Sequence, residues 1–240
     1  MKTGLMVEEV KAANKAENNT GRIRVRIAQP EDAAALARIY AYYVTDTAIS
    51  FEYEAPSAKK FAKNMAQIEE RYPFLLAEDT ESGAVLGYAC AHPFINRPAY
   101  DWGVETTIYV DKECKKSGVG RALYEALESV LSMQHILNVN ACIATPAGPG
   151  TERYVSTNSM EFHAHMGYRL VGEFHNCGYK FGLWFHMVWM EKMIGMHPGA
   201  EGDEEHQSGN KIQPPVIPFA KIREEAAELL KKAEKSSIKA

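Results

Sequence analysis

The sequence predicts an α/β fold built on a mixed β-sheet, and three observations point to it. Residues 102–132 run in the order β-branched strand, glycine-bearing loop and amphipathic helix. The apolar run 137–145 follows, and a helical crossover would make its strand parallel to the one before. The runs 73–77 and 84–93 are joined by a polar turn, which is typical of an antiparallel hairpin.

Composition and charge limit the classes of function. The chain has 240 residues, of which 46% are hydrophobic and 24% charged, as in a globular protein. A formal net charge of −4 argues against a general nucleic-acid partner. No apolar run approaches the length of a membrane span, and the first residues lack the apolar core of a secretory signal. We therefore expect a cytoplasmic protein with neither a nucleic-acid nor a membrane partner.

The cysteines and histidines do not predict a metal site. Cys90, Cys114, Cys142 and Cys177 form no CxxC pair, so neither a zinc nor a redox site is expected. The eight histidines show no metal-ligand spacing. These observations favour a reducing compartment and a protein without a metal cofactor.

The remaining elements follow from periodicity and from start and stop signals. Residues 22–28 alternate polar and apolar, which predicts the first strand. Pro30 and the acids after it predict the start of a helix. A second helix is predicted at about 57–70. After the glycine-rich insertion 146–157, Asn158 or Ser159 is expected to cap a short helix that Gly167 ends. The two final strands are predicted at 168–178 and 183–193.

Composition divides the chain into three parts. Residues 1–21 are polar and weakly helical, which predicts an N-terminal extension. Residues 22–195 hold the patterned runs and form the predicted domain. Residues 196–240 are predicted to hold a linker and a tail helix, with apolar residues at helical spacing from Ile222 onwards. The tail helix is expected to pack on the domain or on a partner chain.

The glycine-bearing loop has the chemistry of an anion site. The first N–H groups of a helix have no partner inside it, and the helix dipole adds partial positive charge there. Glycines let the backbone approach a phosphate closely. An ordinary strand-to-helix turn is the alternative. Neither the P-loop nor the dinucleotide fingerprint fits the spacing. The candidate residues are Lys115, Lys116, Ser117, Gly118, Val119 and Gly120.

Glu105 is the predicted general base. Its neighbours on the strand are apolar or small, so it should be partly desolvated. Desolvation favours a carboxyl group that can accept a proton near neutral pH. A solvent-facing glutamate on a strand edge is the alternative. His163, in the short helix, is the second candidate, because an imidazolium could protonate a leaving thiolate. A histidine packed in the core is the alternative there.

Aromatic residues on the loops could wall a small pocket. Phe51, Tyr100 and Trp102 are the candidates, with Arg97 placed to hold a carboxylate. Each aromatic ring could instead simply cap the core. Three residues at the final hairpin could close the pocket from the other side: Tyr179, Lys180 and Trp184. Packing within the hairpin is the alternative for them.

Several motifs together resemble the phosphinothricin N-acetyltransferase branch of the GNAT superfamily, over about residues 23–194. They are SFE at 50–52, RYPFLLAE at 71–78, AYDWGVETTIYV at 99–110, FHAHMGY at 162–168 and GYKFGLW at 178–184. The resemblance implies the GNAT fold, with a mostly antiparallel sheet, one parallel pair of strands that splay apart, and helices on both faces. It also implies acetyl-CoA as co-substrate, a small amine as acceptor and a homodimer.

The resemblance also assigns roles to residues. Glu105 matches the general base and His163 a histidine near the thioester, while the loop from Lys115 to Gly120 matches the pyrophosphate site. Lys115 departs from the usual Arg or Gln. Either Ser156 or Asn158 is expected to contact CoA, because the usual position of an Asn holds Ser156. The strand along the pantetheine arm matches Ile108, Tyr109 and Val110, and the substrate loop matches Pro98, Ala99 and Tyr100.

These residues predict an N-acetyltransferase that works by direct attack. The acceptor is expected to be an amino-acid-like compound of the phosphinothricin, methionine sulfone or methionine sulfoximine type. Two alternatives stay open. The domain could bind acetyl-CoA as a sensor without turnover, with the tail helix acting on a partner, or it could acetylate a protein amine.

Overall fold

The computed structural model of the chain describes residues 22–114, 117–197 and 213–237. The predicted N-terminal extension at 1–21 therefore lies outside the described residues. So do most of the predicted linker and the two lysines of the glycine-bearing loop, Lys115 and Lys116.

One seven-stranded sheet forms the centre of the molecule. Its strands are β1 (Ile23–Ile27), β2 (Phe74–Asp79), β3 (Val85–Pro93), β4 (Gly103–Val110), β5 (Asn138–Thr145), β6 (Arg169–Lys180) and β7 (Leu183–Met193). The spatial order is β1-β2-β3-β4-β5-β7-β6. All neighbours pair antiparallel except β4 and β5, which are parallel. The predicted mixed sheet is thereby confirmed.

Helices cover both faces of this sheet. They are α1 (Ala33–Thr45), α2 (Ala58–Glu69), α3 (Val119–Met133), α4 (Asn158–His165) and α5 (Phe219–Ser237). Helices α1 and α2 pack on one face and α3 on the other, beside α5. Helix α2 begins where expected, because the Ser57 side chain accepts a hydrogen bond from the Lys60 amide at 3.3 Å.

Strand β2 shows why the sheet needs both layers. Phe74 and Leu76 belong to the core under α1 and α2, whereas Leu75 and Ala77 belong to the core under α3. Successive side chains of a strand point to opposite faces. All four are buried, so this strand is a continuous apolar run rather than an alternating one.

The tail helix α5 completes the core under α3. Phe219, Ile222, Ala226 and Leu230 are buried in that cluster. The helix begins at Phe219, earlier than the apolar spacing predicted, immediately after Pro218. The segment before the helix is also held, because the Gln134 side-chain amide donates to the Ile217 carbonyl at 2.7 Å. The helix therefore packs on its own domain; the domain boundary at 195 stays a prediction.

Candidate active site

A cleft opens where β4 and β5 diverge. The two strands pair only from Gly103 opposite Asn138 to Glu105 opposite Asn140. Beyond that point a cleft of about 430 Å³ separates Thr106–Tyr109 from Ala141–Ala144. Each strand stays paired on its outer side, β4 with β3 and β5 with β7. No strand of the described chain pairs with the two inner edges there, so their backbone groups can bind an extended ligand.

Glu105 lies at the point where the strands part. Its side chain is half-buried and lines the cleft. Burial raises the pKa of this carboxyl group above its ordinary value. Cys142 lines the same cleft and is exposed. Partial desolvation and the charge of Glu105 raise the pKa of its thiol. At neutral pH the carboxyl group is thus the proton acceptor of this pair, and the thiol is a poor nucleophile.

His163 is buried against α3 and is neutral at physiological pH. Its Nδ1 lies 2.7 Å from the Ser159 carbonyl, and its Nε2 lies 2.9 Å from the Tyr124 hydroxyl. Burial lowers the pKa of the imidazole to about 4. A neutral ring in this setting donates from Nδ1 to the carbonyl and accepts from Tyr124 at Nε2. This corrects the expectation of an imidazolium that protonates the thiolate, although His163 does line the cleft.

Hydroxyl groups form a polar floor beneath the cleft. The Thr106 hydroxyl donates to the Asn140 carbonyl at 3.1 Å and lies 3.3 Å from the hydroxyls of Tyr124 and Tyr168. The Asn140 side-chain amide in turn donates to the Val104 carbonyl at 3.1 Å. These contacts bridge β4 and β5 at the point of divergence and satisfy the buried polar groups there.

The sequence analysis did not predict the hydroxyl-bearing residues of this polar floor. Tyr124 lies in the predicted amphipathic helix but was not singled out as a buried residue, yet it is fully buried. Its spacing from Leu127 and Leu131 is helical, and that signal could have placed it on the inner face.

The predicted anion loop leads into α3 beside the cleft. Gly118 is the N-terminal cap of α3, in a left-handed conformation with φ of 86°, and no side chain caps the helix. A Cβ built on Gly120 would lie 3.1 Å from the Phe162 ring and 3.7 Å from the Ile108 side chain. Ile108 and Tyr109 line the cleft, whereas Ser117, Gly118, Val119 and Gly120 are not among its lining residues. The start of α3 therefore adjoins the cleft through Ile108. Ser117 and Val119 flank Gly118, with Val119 buried as the first helical residue.

The segment between α1 and α2 closes the other side of the cleft. Ile49, Ser50, Phe51 and Glu52 line it. The Tyr40 hydroxyl, from α1, lies 2.8 Å from the Ser50 hydroxyl. Phe51 is therefore at the cleft, as its candidate role requires.

The loop before β4 lies elsewhere. Arg97 precedes a short 3-10 turn, Pro98–Tyr100, and Tyr100 packs its ring against Phe94. The indole of Trp102 donates to the Pro214 carbonyl at 2.8 Å. The structure brings none of Arg97, Pro98, Ala99, Tyr100 and Trp102 to the lining of the cleft. The physical reason is position along the strand, since these residues precede β4 and the cleft opens only after Glu105.

Two further candidates lie next to the cleft rather than on it. Val110 ends β4, and its carbonyl accepts a hydrogen bond from the Tyr43 hydroxyl. Asn158 is the exposed first residue of α4, so Thr157 and not Asn158 or Ser159 is the cap. Ser159 itself lines the cleft, which sequence reasoning did not predict.

A parallel pair of strands that splays open beside a glycine-capped helix is the arrangement that the resemblance implied. The model of the acetyltransferase (GNAT) domain matches residues 25–189. The chain belongs to the GNAT acetyltransferase family.

This GNAT chain is similar to several known members. It is 33% identical over 177 residues to a phosphinothricin N-acetyltransferase of Streptomyces coelicolor, covering 73% of this chain and 98% of that one. It is 26% identical to an L-methionine sulfoximine/L-methionine sulfone acetyltransferase of Salmonella typhimurium, covering 72% and 95%. A crystal structure of a GNAT superfamily phosphinothricin acetyltransferase from Sinorhizobium meliloti, in complex with acetyl-CoA, superposes with a TM-score of 0.67. It is 28% identical and covers 82% of this chain and 97% of that one.

The placement of the ionisable side chains and the character of the helices bear on metal and membrane binding. In the described parts of this GNAT chain, no group of three or more His, Cys, Asp or Glu side chains is arranged to hold a metal ion. None of the described helices combines the length and apolar character that crossing a bilayer requires.

Proposed function

We propose that this chain is an N-acetyltransferase that moves the acetyl group of acetyl-CoA to the amino group of a small amino-acid-like compound. Phosphinothricin, methionine sulfone and methionine sulfoximine represent the proposed acceptor class. The half-buried Glu105 at the divergence of β4 and β5 is the observation that carries the proposal. The named activities of the similar proteins support the acceptor class.

Acetyl-CoA is the proposed acyl donor, and the cleft suits its extended shape. The proposed pyrophosphate site is the run of amides from Lys115 through Ser117 to Gly120, at the uncapped start of α3. The pantetheine arm would lie along the inner edge of β4 at Ile108, Tyr109 and Val110, whose outer edge is already paired. Ser156 or Asn158 is the proposed further contact, as the resemblance implied. Ser159, which lines the cleft, is another.

Glu105 is the proposed general base. It takes a proton from the substrate ammonium, through a water molecule, and the free amine then attacks the thioester carbonyl. A C–N bond forms, and a backbone amide near Val110 stabilises the oxyanion. The C–S bond then breaks, and the proton that the attacking nitrogen loses passes through water to the CoA thiolate. A neutral His163 has no proton free at Nε2 for that step, so we assign it the positioning of Tyr124.

Phe51 is the proposed wall of the acceptor site, next to Glu52. Contacts of Pro98, Ala99 and Tyr100 to the acceptor stay predictions from the resemblance. Arg97 stays a prediction from its residue type, as the group that holds a carboxylate. A cytoplasmic location likewise stays a prediction.

A second copy of the chain is the proposed macromolecular partner. Leu170, Val171 and Phe174 on the edge strand β6 are each more than half exposed. Apolar residues on an open strand edge favour pairing with another chain. Light scattering after size exclusion should give twice the mass of the chain, and a monomer at assay concentrations would contradict this.

The experiment that tests the function is a screen for CoA release. Phosphinothricin, methionine sulfone, methionine sulfoximine and a lysine-containing peptide are each mixed with acetyl-CoA and the protein, while calorimetry measures CoA binding in parallel. Turnover of a small acceptor is the expected result. Tight CoA binding without turnover of any amine would indicate a sensor, and turnover of the peptide alone would indicate a protein substrate.

A further inference from the structure

The wall of the acceptor site is a segment without regular structure. We call residues 47–52 the acceptor segment; it follows α1, and its last four residues line the cleft. Such a segment has no helix or strand ladder to hold it, so its position depends on contacts from other elements. Small displacements of a substrate wall have large effects on productive binding. The contacts that fix this segment therefore matter for the proposed reaction.

Lys180, the last residue of β6, makes the strongest of these contacts. Its ammonium donates to the Thr47 carbonyl at 3.0 Å and to the Ser50 carbonyl at 2.5 Å. The residue is only 2% exposed. A buried ammonium is costly unless it is hydrogen-bonded, and hydrogen bonds from a charged donor are stronger than neutral ones. One cation thus ties together two carbonyls of the acceptor segment.

The two residues before Lys180 also hold this part of the chain. Gly178 leaves space for the Phe51 ring, because a Cβ built there would lie 2.2 Å from Phe51 Cζ. The Tyr53 hydroxyl donates to the Tyr179 carbonyl at 2.7 Å. Three consecutive residues of β6 therefore contact the acceptor segment or the residue just after it.

The tip of the hairpin is itself well anchored. Phe181 and Gly182 form the turn, with φ of 54° and 77°, as a tight two-residue hairpin requires. The Phe181 ring stacks on Tyr154 at 4.3 Å between centroids. The backbone carbonyl of Tyr154 in turn accepts a hydrogen bond from the Ala48 amide at 3.0 Å. The hairpin, the 146–157 insertion and the acceptor segment thus form one closed set of contacts.

We propose that Lys180 is a positioning residue for the acceptor amine, which fixes the acceptor segment through the Thr47 and Ser50 carbonyls while Gly178 seats Phe51. The inference rests on the proposed function for its kinetic consequence. It assigns the β6–β7 hairpin to amine binding and leaves acetyl-CoA binding to β4 and α3. Loss of the ammonium should therefore affect the KM of the amine and not that of acetyl-CoA.

Lys180→Met tests this directly, with the exposed Lys63→Met as matched control. We expect the KM for methionine sulfone to rise about tenfold or more, by the usual worth of charged hydrogen bonds. The KM for acetyl-CoA should stay unchanged, and Lys180→Arg should restore part of the loss. An unchanged amine KM, or an equal rise in both KM values, would overturn the proposal.

Hydrogen exchange gives a readout that does not depend on turnover. In Lys180→Met the amides of residues 47–52 should exchange faster, while those at the start of α3 keep their wild-type rates. Failure of the wild type to acetylate any amine would reject the proposed function. The exchange test would still decide whether Lys180 fixes the acceptor segment. Unchanged exchange at residues 47–52 would reject the proposed role of Lys180.

Gly178→Ala serves if Lys180→Met does not fold, as judged by circular dichroism. It keeps the ammonium and displaces only Phe51, so the amine KM and the exchange of residues 47–52 should both rise. Wild-type values for both would overturn the role of the hairpin.

Discussion

Burial acts on Glu105 and His163, which both line the cleft, in the same physical way. It disfavours the charged form of each, so the pKa of the Glu105 carboxyl group rises and the pKa of the His163 imidazole falls to about 4. The carboxyl group becomes a better proton acceptor at neutral pH. The imidazole loses the proton that a general acid needs, and its place in the network is structural.

His163 should make stability depend on pH. Its pKa is about 4 in the folded chain and 6.5 without perturbation, so the unfolded chain takes up a proton first as the pH falls. The stability from a neutral His163 is complete above pH 6.5 and is lost as the pH falls towards 4. The loss should amount to about 3 kcal/mol. Urea unfolding of His163→Gln across this range should show a shallower pH slope.

The matched control for that measurement is His165→Gln, since His165 is exposed on the same helix. The control should keep the wild-type slope. A wild-type slope in His163→Gln as well would contradict the assigned pKa.

At the residue scale, the burial of Glu105 could be predicted from the sequence, but the surroundings of His163 could not. The apolar neighbours of Glu105 are adjacent on its own strand, so its burial followed from local pattern. The partner of His163 is Tyr124, which comes from a different helix 39 residues away. No local pattern specifies which hydroxyl meets the ring or how deeply the ring is buried, and it is this burial that lowers the pKa of the imidazole.

At the scale of elements, the start of α3 is the feature that connects fold and substrate. Gly118 holds a left-handed conformation there, with φ of 86°. Any residue with a Cβ is strained in that conformation. The turn therefore requires glycine for its backbone geometry, and the open amides that follow are its proposed contribution to binding.

Gly118→Ala should lower stability by roughly 1–2 kcal/mol through this strain. It should also raise the KM for acetyl-CoA, because the proposed pyrophosphate amides shift with the turn. The matched comparison is Gly83→Ala, in the hairpin between β2 and β3. Gly83 has a φ of 70°, and no heavy atom lies within 4 Å of a Cβ built on it.

Gly83→Ala should lower stability similarly and leave the acetyl-CoA KM unchanged. If the two variants have the same acetyl-CoA KM, the turn at Gly118 has no role in donor binding.

Element boundaries were predictable where periodicity was strong and less so where it was weak. The strands and long helices lie within a few residues of the predicted runs. The short helix α4 was expected to be capped by Asn158 or Ser159, but the cap is Thr157. Helix α5 was expected from Ile222 and begins at Phe219, whose burial is a tertiary contact and not a pattern of the tail.

For the whole molecule, the tail helix is part of the core and not an appendage. Phe219 is fully buried in the cluster that also contains Leu123 and Tyr124 of α3. The same cluster therefore supports the tail helix and the floor of the cleft. Tail packing and cleft geometry should respond together when this cluster is disturbed.

Phe219→Ala should reduce the free energy of unfolding by about 3–5 kcal/mol, the usual range for a large buried ring. Lys221→Ala, at an exposed position of the same helix, is the control and should change stability little. Chemical denaturation measures both. A loss below about 1 kcal/mol for Phe219→Ala, close to what a surface substitution costs, would show that the tail does not complete the core.

The splay itself could not be derived from local pattern. The strands, the hairpin of β2 and β3 and the parallel pair of β4 and β5 followed from hydrophobic periodicity and from the crossover rule. That β4 and β5 part after Glu105 depends on the register between them, with Glu105 opposite Asn140 as the last pair. The same global geometry places Arg97 to Tyr100 outside the cleft, although their sequence suggested a substrate loop.

The most direct test of the account is the pH dependence of kcat/KM for Glu105→Gln, beside Glu52→Gln as the other carboxylate of the cleft. Wild type should lose activity as the pH falls through a pKa above 4.5, as burial of Glu105 requires. Glu105→Gln should be about 100-fold slower or worse across pH 6–9, the usual effect of removing a general base, and Glu52→Gln should keep the wild-type pH profile. An undiminished rate for Glu105→Gln would contradict the account.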